Sequence, residues 1–150
     1  AQYLEAAKDT KVHLVLELKP HATPEAETAA AEAVVKMVGR YGLSKRVTYI
    51  SFSLHVMKEL ARLAPAKTQL MYLGGGTLPK DLKAMGLTGC DFNYGVYLNN
   101  PTWLNDIKAL KMASNVWTVN NPADMIWAIE NRVDFITTDR PDLFLKLTRK

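Results

Sequence analysis

Cysteine is nearly absent from the sequence. Cys90 is the one cysteine in 150 residues, which excludes an internal disulfide and a thiolate-rich metal site. A lone cysteine in an apolar stretch reads as a small buried residue. No apolar run approaches the roughly 20 residues that span a bilayer, and no signal-type segment is visible, so no transmembrane segment is expected. The expectation is a soluble protein whose compartment, cytoplasmic or periplasmic/secreted, the sequence leaves open. Positive charge exceeds negative by four, yet the lysines and arginines are scattered. Their densest group, Lys146, Arg149 and Lys150, suits the C-terminal end of a helix dipole. No basic patch is interleaved with aromatics, which argues against a nucleic-acid partner. Histidine is scarce as well: three residues, none in a Ser/His/Asp or Cys/His setting, leave nucleophilic-triad chemistry without support.

What is present is the composition of an ordinary globular domain. Hydrophobic residues make up 48% and charged residues 23%, in a chain long enough to bury a real core, so residues 1–150 read as a single domain. Residues 1–9 read as the end of a helix with no cap ahead of it, as though the chain begins inside an element. Strands are expected over 12–18, 46–52, 68–73, 89–93, 115–120 and 133–137. Helices are expected over 24–38, 54–63, 79–85, 102–111, 122–130 and 141–148, with Thr23, Ser53, Asn121 and Asp139 as N-caps. Residues 94–101 read as a loop. Six strands alternating with helices imply a parallel sheet, either an open doubly wound sheet or a barrel. The open sheet fits within 150 residues. A complete eight-stranded barrel, at about 250 residues, does not.

In such folds binding groups collect where strands end. The first strand, VHLVLELKP, reads as buried on both faces, and period-two alternation puts Glu17 and Lys19 on one side. Two opposite charges on an apolar strand need a partner, a metal or a ligand. Either an ion pair or a site satisfies them. A carboxylate there suits Mg²⁺ or Ca²⁺, and a lysine suits a phosphate oxygen. Ser51, Phe52, Gly74-Gly75-Gly76, Asn93, Tyr94, Trp117, Asn120, Asp139 and Arg140 occupy the same edge. The glycine triplet is not a phosphate-binding P-loop, because no Lys-Ser/Thr follows, and reads as a flexible turn allowing positive φ. His13 receives no role; His21 reads as a surface loop residue and His55 as exposed on a helix. Trp103 and Trp127 read as helix–sheet packing, and Trp117 as either core or pocket wall.

Taken in order, Leu16-Glu17-Leu18-Lys19, Ser51-Phe52, Trp117-Thr118-Val119-Asn120 and the VDFITTDRP run at 133–141 resemble the glycerophosphodiester phosphodiesterase family, over residues 12–141. The resemblance implies a (β/α)₈ barrel, present here as an incomplete TIM-type barrel of about six parallel βα units. It implies hydrolysis of a glycerophosphodiester substrate to an alcohol and glycerol 3-phosphate, helped by a divalent cation, Mg²⁺ or Ca²⁺, bound weakly by this chain. By the same resemblance Glu17 is a metal ligand and catalytic residue. Lys19 is catalytic and binds the phosphate, while Trp117 and Phe52 line the substrate pocket.

The departures carry equal weight. The family's His-Arg-Gly strand, Glu-x-Asp strand and His-Asp motif are absent, and Arg132 and Phe135 stand where the family often has glycine. The expectation is therefore a C-terminal portion of the domain, inactive by itself, with exposed sheet edges through which a homo-oligomer could form. The rival expectation is a non-catalytic barrel-derived module that binds a phosphorylated ligand or self-associates. A flavodoxin-like open sheet is a third, disfavoured by a Lys19–Thr23 loop without glycines.

Overall fold

A computed structural model describes residues 1–148. Its elements alternate regularly: α1 (Gln2–Lys8), β1 (Leu14–Glu17), α2 (Pro24–Arg40), β2 (Val47–Ser51), α3 (Leu54–Leu63), β3 (Gln69–Tyr72) and α4 (Pro79–Ala84). The second half continues with β4 (Gly89–Asn93), α5 (Tyr94–Asn99), α6 (Trp103–Ala109), β5 (Ala113–Trp117), α7 (Pro122–Glu130), β6 (Phe135–Ile136) and α8 (Pro141–Thr148). The helix starts follow from local chemistry. Thr23, Ser53 and Asn121 each accept a hydrogen bond from an orphan backbone N–H with the side-chain oxygen, and Pro24 and Pro122 follow as pre-shaped first helical residues.

All six strands are parallel and lie in sequence order, β1 to β6, with Leu16 opposite Tyr49, Tyr49 opposite Leu70, and Phe92 opposite Val116. A doubly wound sheet reverses strand order at a switch point; this one never does. Right-handed crossovers in unbroken order put every helix on one face. The sheet curls away from that layer into a half-barrel, which overturns the flavodoxin-like alternative.

The helix-facing side holds the core. Tyr49, Cys90, Phe92 and Val116 point from the strands into Ala31, Val38, Val56, Met57, Leu60, Leu82, Ile107 and Met125, all essentially inaccessible. Each fully buried valine, leucine, isoleucine, phenylalanine or methionine among them contributes roughly 1.5–3 kcal/mol. The opposite, concave side is open: Val15 is 57% and Phe135 50% exposed. β1 is therefore not buried on both faces as its aliphatic run suggests. It pairs with β2 alone among the described residues, and only its Leu14 side is covered.

Other departures have local causes. The expected loop at 94–101 contains α5, capped by Asn93, whose Oδ1 accepts from the Gly95 N–H. Its aromatic Tyr97 is buried and donates to the Asn115 carbonyl at 2.9 Å. The fifth strand starts two residues earlier and ends three earlier than 115–120, and the sixth shrinks to Phe135–Ile136. Trp103 packs on Phe92 of the sheet, but Trp127 packs on Tyr94 and Tyr97 of α5. His55 is not free on its helix: its Nε2 meets Thr28 Oγ1 at 2.9 Å and ties α3 to α2. Asp139 does not cap α8; its carboxylate accepts from Asn120 Nδ2 at 2.8 Å. None of Gly74, Gly75 and Gly76 has positive φ. A Cβ on Gly74 would meet the Tyr72 hydroxyl, and one on Gly75 would meet Val96, so close approach demands these two glycines. Of the basic tail, Lys146 lies in the last turn of α8, while Arg149 and Lys150 lie outside the described residues.

Candidate active site

Glu17 ends β1, so its carboxylate emerges at the C-terminal rim of the half-barrel, and Lys19 follows two residues later on the same side. Lys19 Nζ reaches Glu17 Oε1 at 2.7 Å, with the lysine side chain 73% exposed. Solvent weakens such a pair to roughly 0–1 kcal/mol, too little to be the reason for putting both charges at a strand end. Ser51, by contrast, is structural. It is fully buried, donates to the Leu18 carbonyl at 2.7 Å and accepts from the Ser53 N–H at 3.0 Å.

Phe52 leaves the end of β2 and Trp117 ends β5. Their rings meet edge to face, 5.7 Å between centroids at 86°. With Glu17, Leu73, Asp91 and Thr137 they line a mouth cavity of about 260 Å³. Trp117 is held upright by its Nε1–H, which donates to the Asp91 carbonyl at 2.9 Å. The structure thus brings Glu17, Phe52 and Trp117 around one cavity, with Lys19 bonded to its rim.

Asp91 is a residue that sequence reasoning missed. It lies on the concave face of β4, is 2% exposed, and accepts from Asn115 Nδ2 at 2.8 Å. Burial pushes its pKa up to about 7; the Asn115 hydrogen bond opposes that rise, and the nearby Glu17 charge adds to it. The available signal was an acid between Cys90 and Phe92, two apolar residues that face the helices. Beneath it, Asn115 also donates to Thr137 Oγ1 at 3.0 Å, while Asn115 Oδ1 is buried without a partner.

The histidines stand elsewhere. His13 meets Thr48 Oγ1 at 2.9 Å, at the opposite end of the strands, and His55 lies between helices. His21 is exposed, its Nδ1 paired to the Lys19 carbonyl at 2.8 Å, and it does not line the mouth. A separate cleft of about 600 Å³ sits at the N-terminal ends of β5 and β6, among Lys108, Lys111, Arg132 and Asp134. That is the end of a parallel α/β fold that serves stability rather than chemistry. Asp134 is spent there on the Ser114 N–H and hydroxyl.

For a divalent cation, the described residues offer Glu17 at the rim but no cluster of three His, Cys, Asp or Glu side chains. Mg²⁺ and Ca²⁺ take about six or more oxygens, so this donor set is one part of a site rather than a whole one.

The model of the glycerophosphoryl diester phosphodiesterase family matches residues 1–143. A glycerophosphodiester phosphodiesterase of Caldanaerobacter subterraneus subsp. tengcongensis is 29% identical over 124 residues, which are 79% of this chain and 49% of that protein. The crystal structure of a glycerophosphodiester phosphodiesterase from Parabacteroides distasonis matches at TM-score 0.94 and 47% identity, over 97% of this chain and 61% of that one. A glycerophosphodiester phosphodiesterase from Thermotoga maritima shares the fold, at TM-score 0.69 and 20% identity, over 90% of this chain and 57% of its own. The chain spans about half the length of the curated relative that it matches.

Proposed function

The chain belongs to the glycerophosphoryl diester phosphodiesterase family, and from that membership we propose that it supplies one wall of a site hydrolysing glycerophosphodiesters to an alcohol and glycerol 3-phosphate. The observation that carries the proposal is the convergence of a Glu17–Lys19 pair and a Phe52–Trp117 pair on one cavity at the strand ends. Lys19, solvated at the rim, could meet an anionic phosphodiester and offset charge that grows on its oxygens during in-line attack by water. Phe52 and Trp117 exclude solvent on the side facing the ligand's apolar surface.

A divalent cation, Mg²⁺ or Ca²⁺, would take Glu17 as one oxygen ligand and supply Lewis-acid stabilisation of the phosphoryl oxygens. Among the described residues no cluster of three His, Cys, Asp or Glu side chains supplies the rest of its shell. No histidine lines the mouth among the described residues, so a histidine general base or acid would have to come from elsewhere. In this reading residues 1–150 form the C-terminal portion of a barrel domain, and by themselves turn nothing over. The test is turnover of glycerophosphocholine. The full gene product hydrolyses it and loses activity with Glu17→Gln, whereas the 150-residue chain is inert; comparable turnover by the chain alone overturns the reading.

One observation favours a second reading. The concave face exposes Val15 and Phe135, beside β1 and β6 edges that have no further strand among the described residues. A non-catalytic module pairing with a second copy through those edges would cover them. A stable dimer in sedimentation, with phosphate-ester binding and no turnover by the full gene product, supports that alternative.

A further inference from the structure

Lys19 stands beyond the last backbone bond that ties β1 to β2 among the described residues, from the Leu18 N–H to the Ile50 carbonyl at 3.0 Å. Its ammonium is solvated, and its one polar partner among the described residues is Glu17. A long, solvated side chain has little to fix its position except the backbone it grows from. That backbone is held on both sides. Ser51 Oγ donates to the Leu18 carbonyl at 2.7 Å, and the Lys19 carbonyl accepts from His21 Nδ1 at 2.8 Å. The His21 N–H donates to Glu27 Oε1 at 3.2 Å, and Ser53 Oγ donates to Glu27 Oε2 at 2.7 Å. The circuit closes where the Ser53 N–H donates to Ser51 Oγ at 3.0 Å.

Glu27 is the costly member of that circuit. It lies in the first turn of α2, where a carboxylate favours the helix dipole without leaving water, as the exposed Glu25 does. Glu27 is instead buried, and among the described residues it forms no ion pair. Burying a carboxylate without a counter-charge is unfavourable, so the two donors that reach it are what its burial serves. One donor belongs to the loop after Lys19 and the other to Ser53, the N-cap of α3. All members of the circuit lie in two adjoining units, β1–α2 and β2–α3, so it closes within the chain and needs no strand beyond β1.

We infer that Glu27 is a positioning residue, which through His21 and Ser53 sets where the Lys19 backbone leaves β1 and so where its ammonium meets a phosphate. The inference rests on the phosphodiesterase reading for the role of Lys19 and adds the device that holds it. Glu27 acts through Lys19 and is not itself a catalytic residue. Glutamine keeps the circuit, because its Oε1 accepts from the His21 N–H while its Nε2 donates to Ser53 Oγ. Alanine breaks it on both sides.

Calorimetry on the full gene product, with inorganic phosphate as the probe, tests it through a double-mutant cycle. Glu27→Ala weakens phosphate binding about fivefold in the wild-type background and by less than about twofold in Lys19→Met, because its effect passes through Lys19. Glu27→Gln stays within about twofold of the wild type. A wild type that binds no phosphate overturns the inference, as does a Glu27→Ala variant that binds it unchanged. So does an equal loss with and without Lys19, which marks a purely structural role, or a Glu27→Gln variant as damaged as Glu27→Ala. Should Glu27→Ala fail to fold, His21→Ala carries the test. It is an exposed change that removes the partner of the Lys19 carbonyl, and unchanged phosphate affinity in it overturns the inference. Turnover of glycerophosphocholine is scored separately. Hydrolysis by a wild type whose phosphate affinity ignores Glu27 sinks the positioning role and spares the function, and Glu27-dependent phosphate binding without hydrolysis does the reverse.

Discussion

Phe52 and Trp117 meet edge to face at 5.7 Å although two whole strands, β3 and β4, separate the strands that carry them. In a flat sheet at about 4.8 Å per strand their backbones would lie about 14 Å apart. Curvature of the sheet brings the side chains of its concave face together, and the mouth exists because of it. The same curvature lets a β4 carboxyl, a β5 amide and the Thr137 hydroxyl just past β6 form one hydrogen-bonded line, Asp91–Asn115–Thr137.

The aromatic pair is therefore expected to behave as a coupled unit. A double-mutant cycle on Phe52→Ala and Trp117→Ala, read by chemical denaturation, should return a coupling of about 0.5–1.5 kcal/mol, the range for edge-to-face rings. Trp117→Phe should cost a further ~1 kcal/mol, because the Asp91 carbonyl loses its indole donor. Additive effects in the cycle would show that the rings do not touch in solution.

Glu17 and Lys19 should divide stability from activity. Their ion pair is exposed, so Glu17→Gln and Lys19→Met are each expected to change unfolding free energy by less than about 1 kcal/mol. In the full gene product the same changes should reduce diesterase turnover by about a hundredfold or more, the scale of losing an electrostatic partner of the transition state. Parallel losses of stability and turnover would return the pair to a purely structural role.

Much of this architecture is legible in the sequence because its signals are local. Thr23-Pro24, Ser53 and Asn121-Pro122 announce helix starts through backbone capping, and those starts fall where expected. The short alternating segments give the parallel strands. What the sequence hides depends on neighbours. Nothing local distinguishes β1 at an open edge from a strand covered on both sides, since Val15 is apolar in either case. The glycine triplet looks like a turn, yet its first two members are required by Tyr72 and Val96. Asp91 is invisible as a site residue until curvature places it under Trp117, and α5 hides behind asparagines that resemble loop residues. Pattern alone places Glu17, Lys19, Phe52 and Trp117 at strand ends, but their choice from among the other strand-end residues rests on the family resemblance.

Glu27 offers a test of how the rim is held. It is 6% exposed, and its carboxylate accepts from the Ser53 hydroxyl at 2.7 Å and from the His21 N–H at 3.2 Å. One side chain thus ties the loop after Lys19 to the start of α3. Glu27→Ala should cost about 1–2 kcal/mol, since it removes the partner of a part-buried hydroxyl and of a part-buried backbone donor, and Glu27→Gln should cost less. Hydrogen exchange should quicken at His21 in the alanine variant; an unchanged rate there would mean that Pro20 and the local backbone hold the loop unaided.

The buried acid beneath Trp117 makes stability depend on pH in a definite direction. Burial, with a contribution from the Glu17 charge and against the Asn115 hydrogen bond, raises the Asp91 pKa to about 7 from 3.8. The folded state therefore holds this proton more tightly than the unfolded chain, and the protonated carboxyl stabilises the fold in full only below the unfolded value. As pH climbs from about 4 to about 7, that contribution drains away; above about 7 no more is lost. At about 1.36 kcal/mol per pKa unit, a rise of about three units makes the loss on the order of 4 kcal/mol. Asp91→Asn keeps the shape and cannot ionise, so the stability difference between wild type and variant isolates this group from the rest of the titrating surface. Urea unfolding of both proteins from pH 4.5 to pH 8 should show the wild type falling steadily behind the variant until about pH 7 and then running parallel to it. A difference that stays level across the range would mean that solvent reaches Asp91.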